Sequence, residues 1–274
     1  MNPFDALLIT PILNLLIVFY KVFLFIHIPG ALGLAIIILT IIVRLILWPL
    51  TAAQLKSTQK MAALKPHLDR IKAEHGQDKV RHQEEVTKLY KEHGVNPLAG
   101  CLPLLVQIPV FIALYRVLLE IVDPTKTDFL TKINSKIYFS AMHLDKIPNT
   151  FFFGLRLENK PSDWAHIGFF ILIIPILTGL FQYVQSKMLM PTAQTQAIKP
   201  KTKEKEKESM EDAMASMQSQ MSLIMPAMIA FFSYGFPVGL SLYWNTFTII
   251  GIIQQYLISG AGSFNKYLPE NWKK

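Results

Sequence analysis

One arginine, Arg44, stands alone in an apolar run that extends from Ala31 to Leu50 (ALGLAIIILTIIVRLILWPL). A helix of about 20 residues spans roughly the 30 Å of a bilayer's hydrocarbon layer, so the run predicts a membrane-crossing helix. Arginine keeps its charge at physiological pH, and a charged side chain at the bilayer centre costs about 2.5–3.5 kcal/mol on insertion scales. No other predicted crossing offers an Asp or Glu at a matching depth. Arg44 must therefore reach the nearer membrane surface or face a hydrated cavity.

The composition is typical of a membrane protein. Of the 274 residues, 51% are hydrophobic and only 17% are charged, and the charges are concentrated between apolar runs. Membrane orientation explains the net charge of +8 better than nucleic-acid binding does, so no specific nucleic acid is expected as a partner. The single cysteine, Cys101, excludes an intrachain disulfide.

Five apolar stretches, each bounded by turn or charge signals, predict an all-α, multi-pass membrane protein with five transmembrane helices. The predicted crossings are residues 30–52, 98–120, 167–185, 221–236 and 238–258. The remaining segments are 53–97, 121–166, 186–220 and a short basic tail, 259–274. The first, third and last of these segments hold 18 of the 27 lysines and arginines, so the positive-inside rule makes them cytoplasmic. This predicts a plasma (inner) membrane protein with a cytoplasmic C-terminus and an extracytoplasmic segment 121–166.

The N-terminal segment, residues 1–29, is open to two interpretations. It is long enough to span the membrane, and the charge rule fits either choice. Thr10, Asn14 and Lys21 share one helical face, which favours a helix lying in the outer membrane interface. The segment lacks the basic start and the cleavage site of a secretory signal, so its removal is not expected. We predict an N-terminal outer interfacial helix.

The cytoplasmic segment 53–97 predicts a helical hairpin. Both helices end in Glu-His-Gly, which places Gly76 and Gly94 at the left-handed capping position. Asp78 is predicted to cap the second helix, and Pro66 to kink or interrupt the first. The apolar stripes of the two helices consist of Met61, Leu64, Leu68 and Ile71, and of Val86, Leu89, Tyr90 and His93.

Methionines recur at spacings of three and four residues after a low-complexity linker, Lys199–Glu208. Six of the eleven methionines lie on this one predicted helical face, which begins within 186–220 and continues into the fourth crossing. Ordinary packing is one interpretation. For the part outside the membrane, a soft surface that contacts varied apolar clients is the other, because thioether side chains repack easily. The candidate client contacts are Met210, Met214, Met217 and Met221.

Polar side chains recur at helical spacing on several crossings. Thr40 lies one turn before Arg44, and the second crossing carries Gln107. The third crossing carries Thr178, Gln182 and Gln185, and the fifth carries Ser241, Asn245, Thr248 and Gln255. One interpretation is interhelical hydrogen bonding, at about 0.6 kcal/mol for each bond. Because the stripes accompany an unpaired arginine, the other is a hydrated groove, and an arginine that reaches into a groove open to the cytoplasm satisfies both demands.

Three stretches of the chain resemble the YidC/oxidase-assembly family of membrane protein insertases. They are IIVRLILWPL (41–50), GVNPLAGCLPLLVQIPVFIALYRVL (94–118) and FPVGLSLYWNTFTIIGIIQQYLI (236–258). The resemblance covers nearly the whole chain from about residue 30. It implies the short, five-crossing form of the family, with a groove open to the cytoplasm and to lipid but closed to the outside. Arg44 matches the groove's positive centre, and by position Gln107, Gln182, Gln185, Trp244, Asn245 and Gln255 would line or border the client's route.

The resemblance implies a membrane protein insertase and folding chaperone whose partners are nascent membrane proteins and lipid. The secretion channel and the ribosome are further candidate partners. No Gly-rich nucleotide loop and no catalytic motif stands in the sequence, so we expect a non-enzymatic, ATP-independent protein without cofactor or metal. The alternative is a small membrane transporter or channel subunit in which Arg44 is an anion site.

Overall fold

The computed structural model describes residues 2–96, 102–122, 128–189, 210–267 and 269, and most of them are helical. The helices are α1 (Thr10–Phe25), α2 (Ala31–Ile46), α3 (Trp48–Ala63), α4 (Lys65–His75), α5 (Lys79–Glu92), α6 (Leu102–Val122), α7 (Phe129–Asn134), α8 (Trp164–Ile167), α9 (Ile173–Leu189), α10 (Met210–Gly235) and α11 (Val238–Ser259). A single antiparallel pair of strands within the described ranges, β1 (Phe151–Phe152) and β2 (Leu155–Arg156), forms a small hairpin.

The chain divides into two compact units, each built from three stretches of sequence. The first unit comprises Met1–Leu47, Leu105–Gln182 and Ala227–Ile250. The second unit comprises Trp48–Leu104, Tyr183–Pro226 and Gly251–Lys274.

The apolar core of the first unit lies where α1 and α2 pack together and meet α6, α11 and the segment that follows α6. The largest fully buried side chains in it are Leu13, Leu16, Ile17, Leu32, Ile36, Leu39, Leu114, Ile121, Ile133, Leu157, Ile171 and Tyr243. The segment after α6 is ordered against this core: the backbone amides of Val238 and Gly239 donate to the carbonyls of Asn159 (2.8 Å) and Leu157 (2.9 Å). These bonds satisfy two of the free amides at the start of α11.

Polar side chains of α1 form hydrogen bonds with the backbone of residues 136–143. Whether α1 lies on the membrane or crosses it stays a prediction. The Asn14 side chain donates to the carbonyls of Thr10 and Lys136 and accepts from the amide of Tyr138 (2.8 Å). Lys21 Nζ donates to the carbonyls of Ala141 (3.0 Å) and His143 (2.6 Å). The polar stripe that favoured an interfacial helix therefore has a second physical account, because backbone carbonyls of residues 136–143 satisfy it.

The first predicted crossing is not one uninterrupted helix. α2 ends at Ile46, and Leu47 is its C-terminal cap. Pro49 is the second residue of α3, where its missing N–H costs little, whereas inside a continuous helix its ring would clash with the carbonyl of Leu45. The prediction of a helix through Leu50 was wrong for its last turn for this reason.

In the second unit, α4 and α5 pack together through parts of the two predicted apolar stripes. Leu64, Leu89 and Val95 are buried there, with Met61, Leu68, Ile71 and Tyr90 packed around them. Pro66 stands in the first turn of α4 after a break from α3, and Gly94 has φ +60°, as predicted. Gly76 has φ −61°, so its left-handed prediction was wrong: its amide still donates to the Lys72 carbonyl, and helical geometry extends through it.

Asp78 caps α5 as predicted, since its carboxylate accepts from the amides of Val80 and Arg81, each at 3.1 Å. We expect Asp78→Ala to destabilise the helix by about 1 kcal/mol because two amides lose their acceptor. Hydrogen exchange at Val80 and Arg81 measures this, and it should accelerate about fivefold. Asp69→Ala, which removes an exposed carboxylate within α4, is the matched control and should leave these amides unchanged.

Among the residues that the structure describes, two helical stretches of 21 residues could cross a membrane by length and composition, Asp5–Phe25 and Phe169–Leu189, and the broken pair α2–α3 would make a third span. A shorter apolar helix covers Leu223–Gly235. On α9, Ile173, Ile176 and Leu180 are all more than half exposed at helical spacing, as expected for side chains that face lipid. The all-α membrane fold is thus confirmed, and the five-crossing topology with its cytoplasmic hairpin stays a prediction.

Candidate functional site

Arg44 lies in the last turn of α2 and is only 7% exposed. Its Cζ atom lies 4.1 Å from the centre of the Phe247 ring on α11. Its Nε atom is buried without a hydrogen-bond partner, and no carboxylate among the described residues forms a salt bridge with it. The charge is therefore stabilised by an aromatic face, which is worth about 2 kcal/mol or more for a desolvated cation.

Aromatic residues of α6 and α11 continue from this cation. The Phe247 ring lies 6.0 Å from Tyr243, and Phe111 lies 6.3 Å from Tyr243 and 5.2 Å from Trp244. Gln107 Nε2 donates to the hydroxyl of Tyr243 at 3.4 Å, and the Tyr243 side chain is 1% exposed. The Gln107 side chain is thus hydrogen-bonded to Tyr243, which packs beside the Phe247 ring that contacts Arg44.

Next to Tyr243 on α11, Trp244 Nε1 donates to Gln182 Oε1 on α9 at 3.3 Å, so these two predicted groove residues meet. Asn245 is half-buried, and its Oδ1 atom has no hydrogen-bond partner within the described ranges. Among the described residues, Asn245 thus keeps an unpaired acceptor on α11, as Arg44 keeps an unpaired Nε donor on α2.

Several other polar side chains of these helices are buried and pack within the protein. The Thr40 hydroxyl is fully buried and donates to the Ile36 carbonyl at 2.6 Å, within its own helix. The Ser233 hydroxyl lies 3.3 Å from Thr178 Oγ1 and 3.0 Å from Ser241 Oγ, which links α9, α10 and α11. For Thr178 and Ser241, interhelical hydrogen bonding is therefore what the structure shows. Thr248 is buried on the same face of α11 as Ser241.

The remaining predicted groove residues, Gln185 and Gln255, belong to the second unit. Gln185 is half-buried and Gln255 is 2% exposed. The neighbour of Gln255, Gln254, is the better-bonded residue: its Nε2 donates to the Trp48 carbonyl at 3.2 Å and to the Thr51 hydroxyl, at the start of α3. The backbone of Met210, Met214, Met217 and Met221 is helical, but their side chains lie outside the described part of the structure.

We expect Gln254→Leu to lower the free energy of unfolding by about 1 kcal/mol, because the first turn of α3 loses its two hydrogen bonds from α11. Gln255→Leu is the matched control: it is the same change one residue away, at a buried glutamine that donates no hydrogen bond within the described residues. Thermal unfolding in detergent compares the two variants. A larger loss for Gln255→Leu would contradict this assignment.

The sequence pattern missed Phe247, Tyr243, Phe111 and Gln254. In an apolar helix an aromatic residue predicts packing, and only the position of Arg44 on a neighbouring helix shows that one ring carries a charge. Gln254 and Gln255 are adjacent residues of the same type, and the sequence does not indicate which of them bonds to another helix.

The arrangement can attract an anion. A guanidinium that is not neutralised by a described carboxylate is a ready partner for an acidic group that enters the site. Within the described ranges, no group of three or more His, Cys, Asp and Glu side chains could hold a metal ion. The unneutralised guanidinium of Arg44 supports electrostatic attraction of an anion.

Comparison with known proteins adds an independent line of evidence. Residues 23–264 match a family model described as the 60Kd inner membrane protein. Proteins named membrane protein insertase YidC from Rickettsia massiliae (strain Mtu5) and Rickettsia prowazekii (strain Madrid E) are 36% and 34% identical to this chain over 244 residues, which is 88% of the chain. The chain spans only 38% of the length of these curated relatives.

A solved structure is similar over nearly the whole chain. It is described as an active YidC insertase crystal structure with the first transmembrane domain resolved. The similarity covers 93% of this chain and 47% of that one, with a TM-score of 0.53 and 25% sequence identity.

Proposed function

This chain belongs to the YidC family, whose model is described as the 60Kd inner membrane protein, and on that premise we propose that it is a membrane protein insertase and folding chaperone. It is an integral inner membrane protein, and its family is not a class of catalytic enzymes. In the proposed function it passes client transmembrane segments from the cytoplasm into lipid through a hydrophilic groove centred on Arg44. The observation that carries the proposal is a buried guanidinium that no described carboxylate neutralises.

Arg44 acts on the client by attraction. A carboxylate about 4 Å from a guanidinium gains on the order of 4 kcal/mol at an effective dielectric constant near 20, which exceeds the roughly 2 kcal/mol of a cation–aromatic contact. An acidic residue in the translocated part of a client can therefore replace Phe247 as the partner of Arg44. The attraction must stay moderate, because a client that binds too tightly would not leave for lipid.

The free energy comes from the client and from the membrane, without ATP. Each Leu, Ile, Phe or Val placed at the centre of a bilayer contributes about −0.3 to −0.6 kcal/mol on insertion scales, so a segment of about 20 apolar residues contributes several kcal/mol. The membrane potential adds about 2.3 kcal/mol per 100 mV for each negative charge that moves outward. The protein then has only to lower the barrier for the client's polar end.

The groove is proposed to include the first-unit residues Thr40, Gln107, Gln182, Trp244, Asn245 and Thr248. Gln185 and Gln255 of the second unit stay candidates for the client's route from the family resemblance alone. Two hydrogen bonds support these first-unit residues. Gln107 bonds to Tyr243, which packs beside the Phe247 ring that contacts Arg44, and Gln182 bonds to the neighbouring Trp244. Clients would first meet the methionines at 210, 214, 217 and 221. The C-terminus would be cytoplasmic, and the secretion channel and the ribosome stay candidate partners.

Reconstitution tests the function. Vesicles that contain only the purified chain should insert a single-spanning client with an acidic tail in the absence of ATP, severalfold faster than empty vesicles. Protease protection of the tail measures insertion. If the vesicles instead leak small anions without any client and insert none, the chain is a transporter or channel subunit and the proposal fails.

Cysteine accessibility tests the groove separately. With Cys101 replaced by Ser, we expect Gln182→Cys and Asn245→Cys to react with a water-soluble thiol reagent added from the cytoplasmic side. Leu180→Cys is the matched control, since it lies two residues from Gln182 on the opposite, exposed apolar face of α9 and should be shielded by lipid. Equal labelling of all three positions, or of none, would contradict a hydrated groove.

A further inference from the structure

The small β-hairpin of the first unit exposes two phenylalanines, one at the start of its first strand and one in its turn. Strands β1 and β2 are joined by Phe153 and Gly154, whose φ values are +45° and +86°. Phe151 is 54% exposed and Phe153 is 89% exposed, more than any other large hydrophobic side chain that the structure describes. Two aromatic rings are thus presented outward on a short, hydrogen-bonded support.

The backbone at Phe153 is strained for a residue of its type. A two-residue turn with positive φ at both positions is the type I′ turn, which strongly favours Asn-Gly or Gly-Gly. A bulky aromatic residue at positive φ is an outlier, and such strain persists where the side chain has a role that offsets it. Nothing within the described residues covers this ring beyond the neighbouring Phe152, at 4.7 Å between centroids. The role must therefore depend on something outside the protein.

The hairpin lies at the first turn of α2. The Phe152 ring packs so closely there that a Cβ atom on Gly33 would lie 2.2 Å from it, and one on Gly30 would lie 2.8 Å from it. Because side chains alternate along a strand, Phe152 points towards α2 and its neighbours point away. The apolar run of the first crossing begins at this turn, so the two exposed rings lie at the level where a membrane-crossing α2 enters the hydrocarbon layer.

A second group of exposed aromatics stands at the start of another candidate span. Phe169 is 74% exposed and Phe170 is 56% exposed, and they open the stretch Phe169–Leu189. Phe169 also stacks on Trp164 at 5.0 Å. Tryptophan and tyrosine are enriched at the lipid–water interface of membrane proteins, and phenylalanine on the apolar face of interfacial segments buries into the same boundary.

We propose that the tip of the β1–β2 hairpin inserts the rings of Phe151 and Phe153 into the lipid interface on the side of the membrane where α2 begins. Lipid is the occupant because the rings are continuous with a helix entry point, and because apolar aromatic rings bury into the boundary between headgroups and acyl chains. The hairpin would then hold the segment after α6 to the membrane, while Phe152 holds it to α2. This role needs membrane residence and does not depend on the insertase activity.

A fluorescent probe at the tip tests the proposal. Cys101 is the only cysteine, so a Cys101→Ser background allows Phe153→Cys to be labelled with an environment-sensitive dye in the full chain. Lys146→Cys, exposed and in the same segment, is the matched control. In vesicles of phosphatidylcholine and phosphatidylglycerol, lipids with a nitroxide near the headgroup should quench the dye at 153 at least threefold more than the dye at 146. Lipid quenching at 153 that is no stronger than at 146 overturns the proposal.

A second variant separates lipid contact from the stability of the turn. Phe153→Asn supplies the residue that a type I′ turn favours, so the hairpin should remain folded and the apparent melting temperature in detergent should not fall. A dye placed by Phe151→Cys should nonetheless lose at least half of its lipid quenching when Asn replaces Phe153, because Phe153 is the anchoring ring that remains once position 151 carries the dye. Unchanged lipid quenching at 151 would refute the role of Phe153 as an anchor.

Discussion

Arg44→Glu is expected to abolish insertion of single-spanning clients that have acidic tails, to below a tenth of the wild-type rate. The reason is electrostatic: the site changes from attracting the client's carboxylates to repelling them, and two like charges about 4 Å apart cost on the order of 4 kcal/mol at an effective dielectric constant near 20. Arg44→Lys keeps the charge but loses the planar guanidinium that stacks on Phe247, so it should retain a reduced rate. The measurement is protease protection of the client in vesicles that contain the purified variant.

The control for Arg44 is another arginine of the same unit. Arg116 is exposed on α6 and lies 3.7 Å from Asp5, so Arg116→Ala removes a positive charge that has no place in the proposed groove. It should insert clients at nearly the wild-type rate, whereas Arg44→Ala should be severalfold slower. Normal insertion by both Arg44→Glu and Arg44→Ala would rule out the proposed mechanism.

Gly33→Leu is expected to cost about 2–3 kcal/mol of stability and to lower the apparent melting temperature in detergent by roughly 5–10 °C. The Phe152 ring occupies the space that any side chain at position 33 would need, and its Cδ2 and Cγ atoms lie 2.2 and 2.5 Å from the Cβ position. The ring must leave this site, which separates the β1–β2 hairpin from α2. Thermal unfolding followed by intrinsic fluorescence measures the loss.

Two further variants make the Gly33 result specific. Gly239→Ala is the matched control, because a Cβ there would meet its nearest neighbours at an ordinary 3.4–3.6 Å, and it should change stability by less than about 1 kcal/mol. In the double variant Gly33→Leu with Phe152→Ala, the two losses should be less than additive, because the second change removes the clash. Full additivity would show that Phe152 is not what excludes a larger residue at position 33.

Local patterns predicted the elements that local chemistry determines. The bounds of α11 agree with the predicted fifth crossing to within one residue, since Pro237 precedes it and its apolar composition continues to its end. The Asp78 cap and the break before Pro66 also follow from side chains a few residues away. Gly76 shows the limit of such prediction, because it follows Glu-His just as Gly94 does. The two glycines nonetheless differ in backbone conformation: the Gly76 amide donates a hydrogen bond to the Lys72 carbonyl, and Gly76 stays right-handed.

The site was predictable in its charge and not in its partners. Arg44 stands out because arginine is expensive inside a membrane, whatever surrounds it. Its contact with Phe247 depends on how two helices, about 200 residues apart in sequence, pack together, and no periodicity encodes that. The same holds for the β1–β2 hairpin: Phe153-Gly154 lacks the asparagine that usually indicates a type I′ turn, and its fit against Gly33 appears only in three dimensions.

The hydrogen bonds of α1 have a consequence for how much of the chain the first unit requires. Asn14 and Lys21 supply donors to carbonyls of residues 136, 141 and 143, and Leu13, Leu16 and Ile17 are fully buried beside α2. In a chain that lacks its first 29 residues, those carbonyls would lose their donors, and the apolar side of α2 that packs against α1 would be exposed. α1 is thus a structural part of the first unit, and cells that make only the shortened protein should accumulate little of it.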